Sequence, residues 1–106
     1  MPTGRYDAFV AEHAKDRLSP SDLAAELDLS PDYFARLFRK SFDLSPRAWL
    51  VDQRIRQAAA AMVNSTRTAS QIAIDFGYDD VFLFSRQFKQ VLGMGPLAYR
   101  RQNGSR

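Results

Sequence analysis

A repeat of about 50 residues is the feature that most constrains how this 106-residue chain can fold. When the sequence is shifted by 50 residues, the segment 30–40 lies over the segment 80–90, and the register continues to residue 99. Further upstream the shift is 49 residues, because the second copy has one more residue in its connecting turn. Similarity at a fixed internal period indicates one structural unit that is used twice. The residues that coincide include Phe34 and Phe84, Arg36 and Arg86, Phe38 and Phe88, Arg39 and Lys89, Pro46 and Pro96, and Trp49 and Tyr99.

Each copy has the signals of two short helices that are joined by a tight turn. In the first copy, Ser19–Asp22 is a capping box with proline at the first helical position, and Ser30 and Pro31 begin the next helix. Asp28 lies in the turn between them, and aspartate is one of the few residues besides glycine that tolerate a left-handed backbone. Apolar residues at helical spacing then predict one buried stripe on each helix.

The second copy repeats this pattern with different residues. Thr68–Gln71 is again a capping box, Gly77 lies in the turn, and Asp79 or Asp80 caps the following helix. Its two helices carry apolar stripes at the positions equivalent to those of the first copy. The sequence therefore predicts two helix-turn-helix units, at residues 19–41 and 68–91.

A long helix is predicted between the two units. Ser45 and Pro46 mark its start, and an alanine run favours helix as far as about residue 63. We also predict a helix near 6–15 and a closing helix that begins at Pro96, and no segment has strand-like alternation. The predicted fold is all α, with about seven helices: a single domain at 1–106, in which a linker helix at about 46–63 joins subdomain one, about 5–45, to subdomain two, about 66–102.

The composition excludes several classes of function. The chain has no cysteine and a single histidine, His13, so neither a thiolate metal site nor a Ser-His-Asp triad is easily built. There is no glycine-rich phosphate loop either. We therefore expect that the chain is not an enzyme and holds no metal and no cofactor. No apolar stretch approaches the roughly 18 residues of a membrane span, and the N-terminus lacks the apolar core of a signal peptide, so the expected location is cytoplasmic.

Positive charge is concentrated after residue 29. The chain has 15 basic and 12 acidic side chains, a net charge of +3, and a pI of about 9.6. Residues 1–29 hold three basic and six acidic groups, whereas 30–56 and 57–106 each hold six basic and three acidic groups. This distribution suggests a polyanionic partner, but an ordinary solvated surface would explain it equally well.

The helix pattern places cationic side chains on the outward faces of the second helix of each unit. In a helix-turn-helix unit this second helix can lie in the major groove of DNA. Arg36 and Arg86 occupy equivalent outward positions, where an arginine can bind guanine O6 and N7, although a surface ion pair is the alternative. Tyr33 suits either a phosphate contact or a cover for the core edge. The side chains that suit phosphate contacts, or simple solvation, are Arg39, Lys40, Arg47, Lys89 and the neighbouring Gln90.

Three stretches, 68–80, 84–89 and 93–100, resemble the DNA-binding domain of AraC/XylS-type bacterial transcription regulators. The resemblance runs from about residue 19 to residue 100. It implies two helix-turn-helix subdomains whose recognition helices enter successive major-groove segments on one face of the DNA. It also implies which residues face bases: Asp32, Ala35 and Arg36 in the first unit, and Val81, Phe82, Leu83 and Arg86 in the second.

The chain departs from the family pattern at a few positions. Asp28 and Asp43 stand where the family often has glycine. Phe82 and Leu83 stand where small polar residues are common, so they suggest either contact with thymine methyl groups or packing inside the protein. Asp32 would repel phosphates but can accept a hydrogen bond from cytosine N4.

The resemblance also implies partners. We expect double-stranded DNA and RNA polymerase as partners, no membrane, and a small-molecule effector only through a domain that this chain lacks. The isolated domain is expected to be monomeric, and the chain is either a minimal regulator or the C-terminal part of a longer protein. The alternative function is a helical protein-interaction module that docks on the transcription machinery without specific DNA readout.

Overall fold

The computed structural model describes residues 19–104, and within that range the chain is all α. The predicted helix near residues 6–15 lies outside the described residues. The described part confirms the predicted fold of two helix-turn-helix units joined by a long helix. Its six helices are α1 (Pro20–Glu26), α2 (Pro31–Phe42), α3 (Pro46–Asn64), α4 (Ala69–Asp75), α5 (Val81–Leu92) and α6 (Pro96–Asn103).

Both helix-turn-helix units begin with the capping boxes that the sequence predicts. At α1, the Asp22 amide donates to Ser19 Oγ, and the Ser19 amide donates to Asp22 Oδ2 at 2.8 Å. At α4, Thr68 and Gln71 make the equivalent pair of hydrogen bonds, at 2.9 and 3.1 Å. These bonds satisfy amides that the first helical turn leaves without partners, and thereby fix where each unit starts.

The turns of the two units have the same backbone geometry but use different residues. Asp28 and Gly77, which follow the first helix of each unit, have φ of 57° and 87°. Asp43 and Gly93, which follow the second helix, have φ of 59° and 83°. The first unit therefore places aspartate in the left-handed region at both positions where the second unit has glycine, although glycine adopts this conformation at lower cost.

The linker helix α3 packs against all five other described helices and takes part in two separate cores. Trp49 and Leu50, near its start, join the core of the first unit with Leu23, Ala24, Phe34 and Phe38. Its later residues join the core of the second unit: Ile55, Ala58, Ala59 and Met62. Because one continuous helix of 19 residues, about 28 Å long, enters both cores, it fixes the two units relative to each other. The exact subdomain boundaries stay a prediction.

The two cores contain equivalent chains of aromatic rings. In the first, Phe38 contacts Phe34 and Trp49, with ring centroids 5.5 and 5.7 Å apart. In the second, Phe88 contacts Phe84 and Tyr99, at 5.6 and 5.5 Å. The Phe34–Phe38 pair is tilted and the other three are edge-on, and ring pairs at these distances add to the stabilisation from burial alone. The 50-residue repeat in the sequence is therefore a repeat in packing as well.

Arg100 links the closing helix α6 to the end of the linker helix by hydrogen bonds. Its Nε donates to the carbonyl oxygen of Met62 at 2.7 Å, and its Nη2 donates to the carbonyl oxygen of Arg67. The last carbonyls of a helix have no partner within the helix, so a cationic donor at this end also interacts favourably with the helix dipole. Within residues 19–104, every helix is too short or too polar to span a membrane.

Candidate nucleic-acid interface

The second helices of the two units, α2 and α5, have the same length and the same buried face. Each has 12 residues, and the pairs Phe34 and Phe38, and Phe84 and Phe88, are fully buried. An α-helix that buries one stripe presents the opposite stripe to solvent. We call α2 and α5 the recognition helices, because their exposed stripes carry the predicted base-facing residues.

The structure places the predicted side chains largely on the surface. Ala35 and Val81 are half-buried, and Leu83 is at the border between half-buried and exposed, with 37% of its surface accessible. The remaining predicted residues are exposed: Asp32, Tyr33, Arg36, Arg39, Lys40, Arg47, Phe82, Arg86, Lys89 and Gln90. Surface position is what contact with DNA requires, but which of these residues touch bases and which touch phosphates stays a prediction.

The exposed arginines fall into two groups. Arg67 is held by Asp75 through two hydrogen bonds of 2.7 and 3.0 Å, and Arg56 is held by Asp52 at 2.9 Å. By contrast, neither Arg36 nor Arg86 makes an ion pair or a side-chain hydrogen bond with any residue in the range 19–104. For these two arginines, the described part of the chain therefore contains no surface ion pair, which was the alternative to a nucleic-acid contact.

Phe82 distinguishes the second recognition helix from the first. Its side chain is 73% exposed near the start of α5, two residues after the N-cap Asp80, which accepts a hydrogen bond from the Phe82 amide at 2.8 Å. The alternative that Phe82 packs inside the protein is therefore wrong. A phenylalanine left in water at this position is available for an apolar contact with a partner, and its equivalent in the first unit is the charged Asp32.

Tyr78 supports the second recognition helix from the turn before it. Its ring is 6% exposed and lies edge-on to Phe84, with centroids 5.2 Å apart. Its hydroxyl donates a hydrogen bond of 2.5 Å to Oε1 of Gln87 on α5, and the guanidinium of Arg54 on the linker helix lies 5.8 Å from the ring centroid. Burial raises the pKa of the Tyr78 phenol above 10.0, and Arg54 opposes part of that rise by its charge and by hydrogen bonding.

Neither the Tyr78 network nor the role of Arg100 is predicted by the sequence. Gln87 lies nine residues after Tyr78, across a turn, and no local periodicity relates such positions. The Arg100 contacts span 33 and 38 residues and end on backbone carbonyls, which have no signature in a sequence. Arg100 belongs to a stretch that carries the family resemblance, and this was the one available indication that it has a specific role.

A cleft of about 270 Å³ opens between the linker helix and the second recognition helix. We call it the inter-unit cleft, because Ser19 and Pro20 at the start of the first unit also line it. One wall comes from the linker helix and the other from α5 and the turn before it. Its side-chain lining includes Arg47, Leu50, Val51, Arg54, Tyr78, Leu83 and Gln87. Among residues 19–104, no cluster of three or more His, Asp or Glu side chains is arranged to hold a metal ion.

Two repeated units, each with an exposed recognition helix on a buried aromatic support, define the class of helix-turn-helix DNA-binding domains. A family model described as a helix-turn-helix domain matches residues 23–102 of the chain. The chain belongs to the AraC-type family of bacterial DNA-binding domains. This is a family of DNA-binding domains and not of enzymes, which confirms that the chain is not an enzyme.

Individual relatives agree with this assignment. The chain is 32% identical over 94 residues to the regulatory protein PocR of Salmonella typhimurium, covering 89% of this chain and 31% of PocR. It is 30% identical over 93 residues to the arabinose operon regulatory protein of Escherichia coli, covering 87% and 32%. The chain therefore spans about a third of the length of the curated relatives it matches.

One similar solved structure includes DNA. The DNA-binding domain of AdpA, described as a global transcriptional factor and solved in complex with a target DNA, has 29% sequence identity to this chain. The two superpose with a TM-score of 0.81, over 95% of this chain and 91% of the AdpA domain. The described fold is thus one that another family member uses when it is bound to DNA.

Proposed function

We propose that this chain binds double-stranded DNA sequence-specifically through α2 and α5 and thereby regulates transcription. The observation that carries the proposal is the pair Arg36 and Arg86, which lie at equivalent exposed positions of two structurally repeated helices. An arginine at such a position can bind guanine through two hydrogen bonds, worth on the order of 1–3 kcal/mol of discrimination against another base. Family membership and the DNA complex of the AdpA domain support the same function.

The two recognition helices read different sequences in this proposal. The first has Asp32, Ala35 and Arg36, so it combines a carboxylate that can accept from cytosine N4 with an arginine that binds guanine. The second presents an apolar surface beside its arginine: Val81, Phe82 and Leu83 suit contact with thymine methyl groups. Because the two sets of side chains differ, a single domain binds a site whose two halves differ in sequence.

Affinity comes mainly from cations that contact phosphates. Arg39 and Lys40 of α2, Arg47 of the linker helix and Lys89 of α5 are all exposed, and the neutral Tyr33 and Gln90 add hydrogen bonds to the backbone. If these four cations each neutralise one phosphate, the logarithm of the binding constant falls with the logarithm of salt concentration with a slope of roughly −4. This term is independent of sequence and accounts for binding to any duplex.

The remaining features of the proposal concern the context of the domain. It comprises subdomain one at about 5–45, the linker helix and subdomain two at about 66–102, and it is monomeric when isolated. It acts in the cytoplasm, where bacterial DNA lies, and RNA polymerase is its second partner. A small-molecule effector acts on it only through another domain. PocR and the arabinose operon regulatory protein are regulatory proteins about three times as long as this chain, which is consistent with such an arrangement.

Selection from a randomised duplex library, followed by anisotropy titrations of the selected site over a range of salt concentrations, tests the proposal. We expect enrichment of a site that spans two adjacent major-groove segments, and the steep negative salt slope given above. Arg36→Ala and Arg86→Ala each flatten the sequence preference, whereas Arg101→Ala, an exposed arginine on the closing helix, leaves it unchanged. A chain that binds no duplex even at low salt would contradict the proposal and favour the protein-interaction module instead.

A further inference from the structure

The hydrogen bond from Tyr78 fixes which way the amide of Gln87 points. The Tyr78 hydroxyl lies 2.5 Å from Oε1 of Gln87, and because an amide oxygen can only accept, the phenol donates its proton to it. The guanidinium of Arg54 lies beside the same residue, 5.8 Å from the ring centroid. The Gln87 oxygen is thereby occupied. Its amino group, Nε2, has no acceptor among residues 19–104 and keeps two hydrogens to donate.

The half-buried Gln87 side chain lines the inter-unit cleft, where it faces a suitable environment for an anion. Arg47 and Arg54 on the linker helix line the same cleft, and Arg47 is exposed, so two cations and one neutral donor border the same space. Leu50, Val51 and Leu83 form apolar parts of the lining. A deoxyribose-phosphate unit combines an anionic phosphate with an apolar sugar, and donors and apolar surface in one cleft match both parts.

We propose that Gln87, oriented by Tyr78, donates a hydrogen bond to a backbone phosphate of bound DNA in the inter-unit cleft. This inference rests on the proposed DNA binding and adds a contact between the two major-groove segments, from a residue absent from the predicted interface. Tyr78 is then a positioning residue: it holds the amide through its hydroxyl and does not contact DNA. Since both walls of the cleft contact the same DNA strand, the linker helix and the second recognition helix bind that strand together.

Anisotropy titrations with one specific and one unrelated duplex test this role. Gln87→Leu removes the donor, and we expect about tenfold weaker binding to both duplexes, because a hydrogen bond to a charged phosphate is lost at any sequence. Gln87→Glu keeps the bond from Tyr78 but replaces the amino group with a charged oxygen, and it weakens binding more. Gln102→Glu, an exposed glutamine on the closing helix, is the matched control for the added charge.

Two further readouts separate this role from a merely structural one. The salt slope stays unchanged in Gln87→Leu, since a neutral donor releases no counterion, whereas Arg47→Ala reduces its magnitude by about 0.9. Tyr78→Phe weakens binding severalfold in the wild-type background but has no effect in the Gln87→Leu background. Equal binding by Gln87→Leu and wild type, or a loss confined to one base pair, would overturn the inference while wild-type binding still upheld the proposed function.

Discussion

Removing the Arg100 side chain should destabilise the domain much more than removing the exposed side chain of its neighbour Arg101. The half-buried guanidinium donates to two carbonyl oxygens, those of Met62 at the end of the linker helix and of Arg67 in the following loop. A hydrogen bond that involves a charged group contributes about 1.5–3 kcal/mol. Because water can partly replace Arg100 at both carbonyls, we take values near the lower end, and expect Arg100→Ala to lose roughly 2–4 kcal/mol of folding free energy.

Thermal unfolding followed by circular dichroism measures this loss. For a domain of this size, 1 kcal/mol corresponds to about 4–8 °C in Tm, so Arg100→Ala should unfold roughly 8–30 °C below the wild type. Arg101→Ala is the matched control, because its side chain is exposed on the same helix and makes neither contact. The Tm of Arg100→Lys should lie between those of Arg100→Ala and Arg101→Ala, since a single ammonium group does not reproduce the two directed hydrogen bonds. Equal Tm values for Arg100→Ala and Arg101→Ala would refute the conclusion that the two hydrogen bonds of Arg100 stabilise the domain.

Three further predictions concern the turns and the buried phenol. Asp43→Gly should stabilise the chain by about 1 kcal/mol, because it relieves a left-handed non-glycine residue and removes a negative charge from the C-terminus of α2. Gly93→Ala should lower the free energy of unfolding, measured with denaturant, by about 1 kcal/mol. The added Cβ meets nothing within 4 Å, so only the left-handed backbone conformation opposes the substitution. A higher free energy of unfolding in Gly93→Ala would contradict this reasoning. The Tyr78 phenol, whose pKa burial raises above 10.0, should ionise late in an alkaline titration at 295 nm. The contribution of the protonated phenol to stability is complete below pH 10 and is lost as the pH rises through the folded-state pKa. The free energy of unfolding of Tyr78→Phe should therefore fall less steeply with rising pH than that of the wild type.

Much of the fold could be predicted because its signals are local. Capping boxes, prolines at first helical positions and apolar stripes each act within one or two turns of a helix, and they gave the helices of both units. The predicted linker helix of about 46–63 ends one residue before the observed end at Asn64. Asp28 in a left-handed turn was also predicted, because the chemistry of aspartate permits that conformation.

The contacts between elements could not be predicted in the same way. Which core a residue of the linker helix enters depends on how the helix lies between the two units. Ala48 is apolar but exposed, whereas its neighbour Trp49 is buried. Likewise, the sequence placed Gln90 at the interface but gave no reason to single out Gln87. The orientation of the Gln87 amide is fixed by a tyrosine in the preceding turn, nine residues away along the chain.

Affinities for duplexes that carry every single base-pair change across the selected site, measured for wild type, Arg36→Ala and Arg86→Ala, test most directly whether both helices read DNA. If each recognition helix occupies its own major-groove segment, each variant should become indifferent to base identity in one half only. The two affected halves should lie about one helical turn, roughly 10 base pairs, apart. Loss of preference at the same base pairs in both variants, or at none in either, would contradict the account.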